Sequence, residues 1–216
     1  MSDLKPIDLF SNIFWKTNIS PDSFNKKELM EVLEKNYQKD PKRNKWGDPT
    51  RSSWNHELED WGNPSFIPAN LKDLNVQYNR IINEFVLKQK FNTAVNYKYK
   101  IVNLTANKSG SYMHKHSHEG SFYAAVHYIN LKKEHGLTTF FNGNNSFEYT
   151  LFCKNDRDLL DTKEIQNSQF FNTWQLETQE NDFIIFPGFL HHEVNSKNDT
   201  DELRVTVSIN ITIQKA

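Results

Sequence analysis

Hydrophobic residues follow a helical spacing in two segments of the first half of the chain. In residues 20–40, apolar side chains recur three and four positions apart before a proline, which predicts a helix with Ser20 or Asp22 as its N-cap. Residues 69–90 repeat apolar side chains at the same spacing over a longer run, which predicts a second helix. Ahead of both, residues 7–19 mix aromatic and β-branched side chains, and this favours a first strand.

After Asn92 the pattern changes to short β-rich runs that are separated by turn residues as far as the C-terminus. About eight such runs predict a sandwich or a barrel-like double-stranded β-helix, the jelly-roll or cupin-like architecture. The predicted fold is therefore mainly β with flanking α, and the two N-terminal helices pack outside the β core. The runs are VNYKYKIVNLT, SYMHKHSH, SFYAAVHYINL, LTTFFN, FEYTLF, TWQLE, DFIIFPG and LRVTVSINITI.

The segment between the two predicted helices, residues 42–68, carries three tryptophans among Gly, Pro, Asn and Ser, which predicts a long structured loop. This loop either covers a site or packs the N-terminal helix onto the β core. A chain of 216 residues fits one domain, residues 1–216, with an N-terminal part (1–92) and a β core (93–216). The tryptophans are Trp46, Trp54 and Trp61.

The charge is nearly balanced at a formal −1, which argues against nucleic acid or an acidic membrane as a partner. The only cysteine, Cys153, has no partner for an internal disulfide, and the opening MSDLKPIDLF lacks the features of a signal peptide. No apolar run approaches the roughly 18 residues that span a bilayer. These features predict a cytoplasmic protein without a membrane partner, as a monomer or a small homo-oligomer.

Three histidines, His114, His116 and His118, occupy every second position before a run that is typical of a buried strand. Successive side chains of a strand alternate between its faces, so the three imidazoles are expected on one face. Neutral imidazoles whose lone pairs converge on a divalent cation are stabilised, which makes a metal site one interpretation of the row. The alternative is a polar surface strand that happens to be rich in histidine.

A second fragment, residues 181–213, contains a hydrophobic strand, a Pro-Gly turn, a histidine pair and a last strand that opens with Arg204. Polar side chains alternate with aliphatic ones along this last strand, so it has one polar and one apolar face. Taken alone, the strand is equally consistent with an edge strand whose charged end is exposed to water. The polar face comprises Arg204, Thr206, Ser208 and Asn210.

From about residue 103 to residue 213, the motifs resemble the 2-oxoglutarate and Fe(II)-dependent dioxygenase superfamily, and most closely its branch of small bacterial and phage oxygenases. The opening IDLFSNIFW is also similar to that branch, so the resemblance extends over the whole chain. The early motif consists of Gly110, His116, His118, Ser121 and the strand AAVHYIN. The late motif consists of Phe186, Pro187, His192, Arg204, Thr206 and Ser208.

The resemblance implies that His116 and His192 are iron ligands and that Arg204 binds the distal carboxylate of 2-oxoglutarate. It also implies supporting roles in cosubstrate binding for Tyr128 and Thr206. One position departs from the superfamily, whose second ligand is commonly Asp or Glu where this chain has His118. A three-imidazole site suits Fe(II) but leaves the iron more positive than a carboxylate does. The alternative third ligand is the adjacent Glu119, which would ligate only if the strand ends there.

The implied reaction is hydroxylation of an unidentified small-molecule or protein substrate with O₂, with 2-oxoglutarate converted to succinate and CO₂. Two alternatives remain at the level of sequence. One is a cupin-like metalloprotein with three histidines that does not use 2-oxoglutarate, and Arg204 has no assigned role in it. The other is a β-sandwich structural or binding module without enzymatic activity, in which the histidines are surface decoration.

Overall fold

The fold combines two α-helices with ten strands within the part of the chain that the computed structural model describes. That part comprises residues 12–39, 53–56, 67, 69–107, 112–143, 171–195 and 200–216. The helices are α1 (Lys26–Lys39) and α2 (Lys72–Lys88). The strands are β1 (Trp15–Asn18), β2 (Ser53–His56), β3 (Val95–Asn107), β4 (Met113–His116), β5 (Tyr123–Asn130), β6 (Thr138–Phe141), β7 (Thr173–Gln175), β8 (Asp182–Pro187), β9 (His192–Val194) and β10 (Arg204–Lys215).

The strands form two antiparallel sheets. The larger has the order β1-β8-β5-β10-β3-β2 and the smaller the order β4-β9-β6-β7. Strand β10 lies inside the large sheet, where it pairs along its whole length with β3 and along much of it with β5. The last strand of the chain is therefore not an edge strand, and both of its faces are covered.

One face of the large sheet packs against the helices. Residues of α2 at helical spacing, such as Tyr78 and Ile82, are fully buried against the aliphatic positions of β10. Helix α1 adds Leu33 to the same cluster. Burial of this continuous apolar layer is the main term that holds the helices onto the sheet. The β10 residues in this layer are Val205, Val207, Ile209, Ile211 and Ile213.

The other face of the large sheet points towards the small sheet. A second apolar cluster fills part of this space, with Phe186 of β8 and Phe140 of β6 in edge contact at a centroid distance of 5.0 Å. Phe14 packs against both rings. The polar positions of β10 share this inner face, because they alternate with the aliphatic positions that contact the helices. The inter-sheet space is thus partly apolar and partly polar.

Both helices predicted from the hydrophobic spacing are confirmed, but helix α1 begins later than the capping candidates suggested. Ser20 caps a short 3₁₀ turn by accepting from the backbone N–H of Asp22. Helix α1 itself starts after Asn25, whose Oδ1 accepts from the backbone N–H of Glu28 while its Nδ2 donates to the Glu28 carboxylate. Asn25 is therefore the N-cap residue of α1, and its side chain marks the helix start.

Other sequence predictions are only partly matched. Strand β1 covers Trp15–Asn18 of the predicted run at 7–19, whose first residues lie outside the described part. The segment 42–68 was predicted to be a loop, yet it contains β2, which pairs with β3. Trp46 and Trp61 and the run FEYTLF lie outside the described residues. Neither described helix has the length and apolar character needed to cross a membrane.

Candidate metal centre

Three histidines converge in the inter-sheet space. His116, the last residue of β4, is the direct antiparallel partner of His192, the first residue of β9, and their rings lie 4.2 Å apart between centroids. His118 follows two residues after β4, and its ring stacks on that of His192 at 5.2 Å. One ring nitrogen from each histidine lies within 4.8 Å of the other two. We call these three residues the histidine cluster.

Hydrogen bonds orient two of the cluster rings through the backbone. The Nδ1 of His116 lies 2.7 Å from the carbonyl oxygen of His114, and the Nδ1 of His192 lies 3.0 Å from the carbonyl oxygen of Leu190. A carbonyl oxygen only accepts hydrogen bonds, so each Nδ1 carries the proton and donates it. The Nε2 of both rings is consequently the unprotonated nitrogen, which is the atom that can act as a metal donor.

The third ring is oriented by a side chain. The Nδ1 of His118 lies 2.5 Å from the Oδ1 of Asn210 on β10, which assigns the proton to Nδ1 here as well. The Nε2 of His118 is buried and has no hydrogen-bond partner. A buried imidazole nitrogen without a partner is costly in an apolar setting, whereas the same lone pair is satisfied by a metal ion.

The electrostatics of the cluster favour neutral imidazoles. Burial, with a smaller contribution from the adjacent His116, lowers the pKa of His192 to about 3. Burial also lowers the pKa of His116 and of His118. At neutral pH the cluster therefore offers three uncharged nitrogen donors. Imidazole donors suit iron, zinc, copper and nickel, so the residues present fit a transition-metal ion such as Fe(II).

A close backbone approach at Gly188 places His118 relative to His192. The Gly188 carbonyl accepts from the backbone N–H of His118 at 2.8 Å, and the Gly188 N–H donates to the carbonyl of Phe122 at 3.0 Å. A Cβ at position 188 would collide with the backbone oxygen of Ser121, so only glycine fits here. This contact ties the turn after His118 to the turn that precedes β9.

Arg204 places a buried positive charge in the inter-sheet space. It is 2% exposed at the start of β10, and its Nε donates to the carbonyl of Gly136 at 3.0 Å. A longer contact of 3.4 Å joins its Nη2 to the Oγ1 of Thr138. Burial lowers the pKa of the guanidinium, but from a value so high that the group keeps its charge at neutral pH. Among the described residues, no carboxylate pairs with it.

Polar side chains surround the Arg204 guanidinium. Tyr128 of β5 is fully buried beneath it, 5.5 Å from ring centroid to guanidinium carbon, and the Tyr128 hydroxyl lies 2.9 Å from the Oγ1 of Thr138. Burial raises the pKa of Tyr128, so its hydroxyl stays protonated and can donate. Thr206 is 4% exposed and pairs with Tyr128 across the sheet. Together these groups present hydroxyls beside a buried positive charge.

Two residues of this pocket were not singled out from the sequence. Asn107 of β3 is the direct cross-strand partner of Arg204, is 1% exposed, and has neither carboxamide atom hydrogen bonded. Thr138 of β6 joins Arg204 to Tyr128, as described above. Asn107 and Thr138 come from strands that meet β10 and β5 only in the folded chain. No local sequence signal distinguishes them from other polar strand residues.

Other candidates of the histidine-rich segment lie outside the cluster. His114 is exposed, because the pairing of β4 with β9 shifts register between Met113 and His116 and breaks the simple alternation of faces. Glu119 is exposed in the turn that follows His118 and is not among the grouped donor atoms. The expectation that all three histidines of the row crowd together is therefore wrong for His114.

His127 is buried as an ordinary core histidine on the opposite side of the large sheet. Its Nδ1 lies 2.9 Å from the hydroxyl of Tyr78, and its ring contacts Phe24 and Phe183. His191 is exposed next to the buried His192.

The comparison with solved structures finds the same fold at low sequence identity. A prolyl hydroxylase from Trichoplax adhaerens, in complex with a peptide of hypoxia inducible factor, superposes with a TM-score of 0.53 at 8% identity, over 92% of this chain and 83% of that one. AviO1 from Streptomyces viridochromogenes gives a TM-score of 0.53 at 13% identity, over 93% and 90% of the two chains.

A third similar structure is the epimerase SnoN in complex with Fe³⁺, alpha ketoglutarate and nogalamycin RO. It gives a TM-score of 0.52 at 13% identity, over 92% of this chain and 78% of that one. These identities are too low to transfer a substrate, and they establish the fold alone. No curated protein sequence matches the chain.

A protein-family model matches residues 103–210, which is half of the chain and includes the histidine cluster, Tyr128 and Arg204. The matched segment runs from the middle of β3 to the middle of β10, so it spans both sheets. The model carries the description "Putative 2OG-Fe(II) oxygenase". The chain belongs to this family of 2-oxoglutarate and Fe(II)-dependent oxygenases.

Proposed function

We propose that the chain, as a single domain, is an oxygenase of the hydroxylase type in which the histidine cluster holds Fe(II) and the pocket around Arg204 holds 2-oxoglutarate. The carrying observation is the convergence of three neutral imidazoles, of which His192 is buried, together with a buried arginine that has no carboxylate partner among the described residues. A bound Fe(II) supplies the activation of O₂ and of the keto acid. The protein supplies binding, orientation and exclusion of water.

The histidine cluster is proposed to bind the metal through the three Nε2 atoms. His116 and His192 receive their orientation from the backbone, and His118 receives it from Asn210. In this ligand set, His118 takes the position at which many members of the superfamily have a carboxylate ligand. Glu119 is not a ligand. Three neutral ligands leave the full positive charge of the metal available to an anionic cosubstrate.

Arg204 is proposed to bind the distal carboxylate of 2-oxoglutarate. A buried guanidinium without a counter-ion is expensive, and a carboxylate ligand offsets that cost through charge-assisted hydrogen bonds. Tyr128 and Thr206 are proposed to donate to the same carboxylate, since both hydroxyls lie on the inner face beside Arg204. The unpaired carboxamide of Asn107 adds a further donor at this place.

The substrate is proposed to be a small molecule or a protein side chain. The similar structures named above include a complex with a peptide and a complex with nogalamycin RO, so the fold accommodates both kinds of substrate. The cupin-like alternative, a three-histidine metalloprotein without 2-oxoglutarate, leaves the buried Arg204 without a function. The arginine therefore favours the oxygenase.

The test is an anaerobic titration of the Fe(II)-loaded protein with 2-oxoglutarate. A keto acid that chelates Fe(II) through two oxygens gives a weak visible charge-transfer band, and we expect this band to appear and saturate. The variant Arg204→Met removes the charge but keeps the apolar stem, and it should weaken 2-oxoglutarate binding by at least about tenfold, since a buried charged hydrogen bond is worth about 2 kcal/mol.

The matched control is Lys132→Met, which removes a cation that is paired with Glu180 at the surface. It should bind 2-oxoglutarate as the wild type does. Iron binding without any band in the wild type would favour the cupin-like alternative. Equal 2-oxoglutarate affinity in wild type and Arg204→Met would remove the assignment of Arg204.

A further inference from the structure

Asn210 stands out among the contacts of the histidine cluster. It is the only side chain in the described part of the chain that accepts from a cluster Nδ1, because the other two rings donate to backbone carbonyls. It lies 92 residues from His118 in the sequence, on the polar inner face of β10 that also carries Arg204. One strand therefore reaches both the candidate metal ligands and the candidate cosubstrate pocket.

The chemical type of Asn210 is significant because the acceptor is neutral. A histidine ligand commonly donates its second ring N–H to a carboxylate, a carbonyl or water, and a carboxylate acceptor also adds a negative charge beside the metal. The amide oxygen of Asn210 selects the same tautomer and ring orientation without that charge. Within the described residues, the group of possible metal donors contains three histidines and no acidic residue. Neutral ligands and a neutral acceptor therefore occur together.

We propose that Asn210 is a positioning residue that aims His118 Nε2 at the metal and keeps the site free of negative charge, so that the dianion 2-oxoglutarate binds with the full attraction of the metal. This inference rests on the proposed function. Asn210 makes two contributions that can be separated: it orients the third metal ligand, and it adds no charge beside the metal. Different substitutions at the same position separate them.

Orientation is tested by removing the acceptor. In Asn210→Leu no atom accepts from His118 Nδ1, and we expect the affinity for Co(II), used as a spectroscopic probe, to fall by about 10–100-fold, the range for a lost outer partner of a metal ligand. The visible absorption of bound Co(II) should also change, because the ring of His118 is no longer held in one orientation. Asn210→Ser, which is polar but too short to reach the ring, should lose affinity in the same direction.

Charge is tested by the nearly isosteric variant Asn210→Asp. Its carboxylate still accepts from Nδ1, so Co(II) affinity should stay within about threefold of wild type or increase. The added negative charge should weaken the binding of 2-oxoglutarate to the Co(II)-loaded protein by about three- to tenfold, as expected for a unit charge acting over several ångströms in a partly screened site. A purely structural role of Asn210 does not produce this opposite response of metal and cosubstrate.

The matched control is Thr212→Ala, two positions along the same face of β10, where the lost hydroxyl donates only to the carbonyl of Lys98. It should leave Co(II) and 2-oxoglutarate binding unchanged. Wild-type Co(II) affinity in both Asn210→Leu and Asn210→Ser would overturn the orientation claim, and unchanged 2-oxoglutarate affinity in Asn210→Asp would overturn the charge claim. A wild-type protein that binds no Co(II) would instead overturn the proposed function and this inference with it. If Asn210→Leu fails to fold, as judged by circular dichroism, the serine and aspartate variants decide the two claims.

Discussion

His127 and His192 are both buried histidines in which burial lowers the pKa to about 3, yet they lie on opposite sides of the large sheet. His127 faces the helices, where the Tyr78 hydroxyl and two phenylalanine rings enclose it. His192 belongs to β9 of the small sheet, contacts Phe186 of the large sheet, and has a ring nitrogen within 4.8 Å of two further imidazole nitrogens. A lowered pKa therefore does not identify a functional histidine. What sets the candidate metal ligand His192 apart from His127 is the convergence of several donor atoms.

The two faces of β10 show the same contrast along a single strand. Its aliphatic face lies in the apolar layer under the helices and contributes to stability. Its other face carries the arginine and the asparagine that reach the two parts of the candidate site. Because the two faces alternate residue by residue, neighbouring substitutions on this strand should have different consequences.

The largest expected effect is a loss of metal binding when a residue of the histidine cluster is replaced. His192→Ala removes a proposed metal ligand and should weaken Fe(II) binding by more than about 100-fold, beyond the range for outer partners of a ligand. The free energy of unfolding of the metal-free protein should change far less than metal binding does. Isothermal titration under anaerobic conditions measures the first quantity and urea unfolding the second.

The matched control for this variant is His191→Ala, which alters the adjacent exposed histidine. It should bind Fe(II) as the wild type does. Wild-type-like iron binding by His192→Ala would remove the ligand assignment.

Ile209 lies next to Asn210 on β10 but on the opposite face, and its replacement should reduce stability without reducing metal affinity. Ile209→Ala deletes buried methyl groups of the apolar layer and should lower the free energy of unfolding by about 2–5 kcal/mol. Metal affinity of the folded variant should remain that of the wild type, since Ile209 faces the helices. Urea unfolding followed by metal titration tests both parts. A loss of metal affinity without a loss of stability would contradict the assignment of the two faces.

The smallest expected effect is a pH dependence from His127. Because its pKa is lowered in the folded state to about 3, the unfolded state binds the proton first, so the associated stability is present above pH 6.5 and is lost as the pH falls towards 3. One such group contributes a slope of about 1.4 kcal/mol per pH unit in this window. The slope of the unfolding free energy against pH, measured by urea unfolding between pH 7 and pH 4.5, should be smaller in His127→Gln than in the wild type by the contribution of one proton.

Local patterns in the sequence were sufficient for both helices and most of the strands, though not for β2, and for the type of chemistry. The spacing of Leu74, Tyr78 and Ile82 predicted α2, and the alternation from Arg204 onwards predicted a strand with one polar and one apolar face. The order and spacing of the histidine and arginine motifs indicated the oxygenase family, which the family model confirms. These features are visible because helix and strand periodicities are properties of neighbouring residues.

The sequence did not determine which members of the histidine-rich segment converge. Strict alternation placed His114 with His116 and His118, but the register shift against β9 leaves His114 exposed. A register shift depends on the partner strand, and β9 lies more than seventy residues further along the chain. The choice between His118 and Glu119 depends likewise on where β4 ends.

Only the tertiary structure decided that the polar face of β10 points inwards and what it meets there. The same alternating pattern fits an exposed edge strand, and the pairing of β10 with both β3 and β5 excludes that arrangement. Asn107, Thr138 and Asn210 gained their positions beside Arg204 and His118 from the same pairing and from the packing of the two sheets. The sequence by itself determined the two helices, most of the strands and the donor types, because these follow from local periodicity and side-chain chemistry. The tertiary structure decided the contacts, because cross-strand partners far apart in the chain set them.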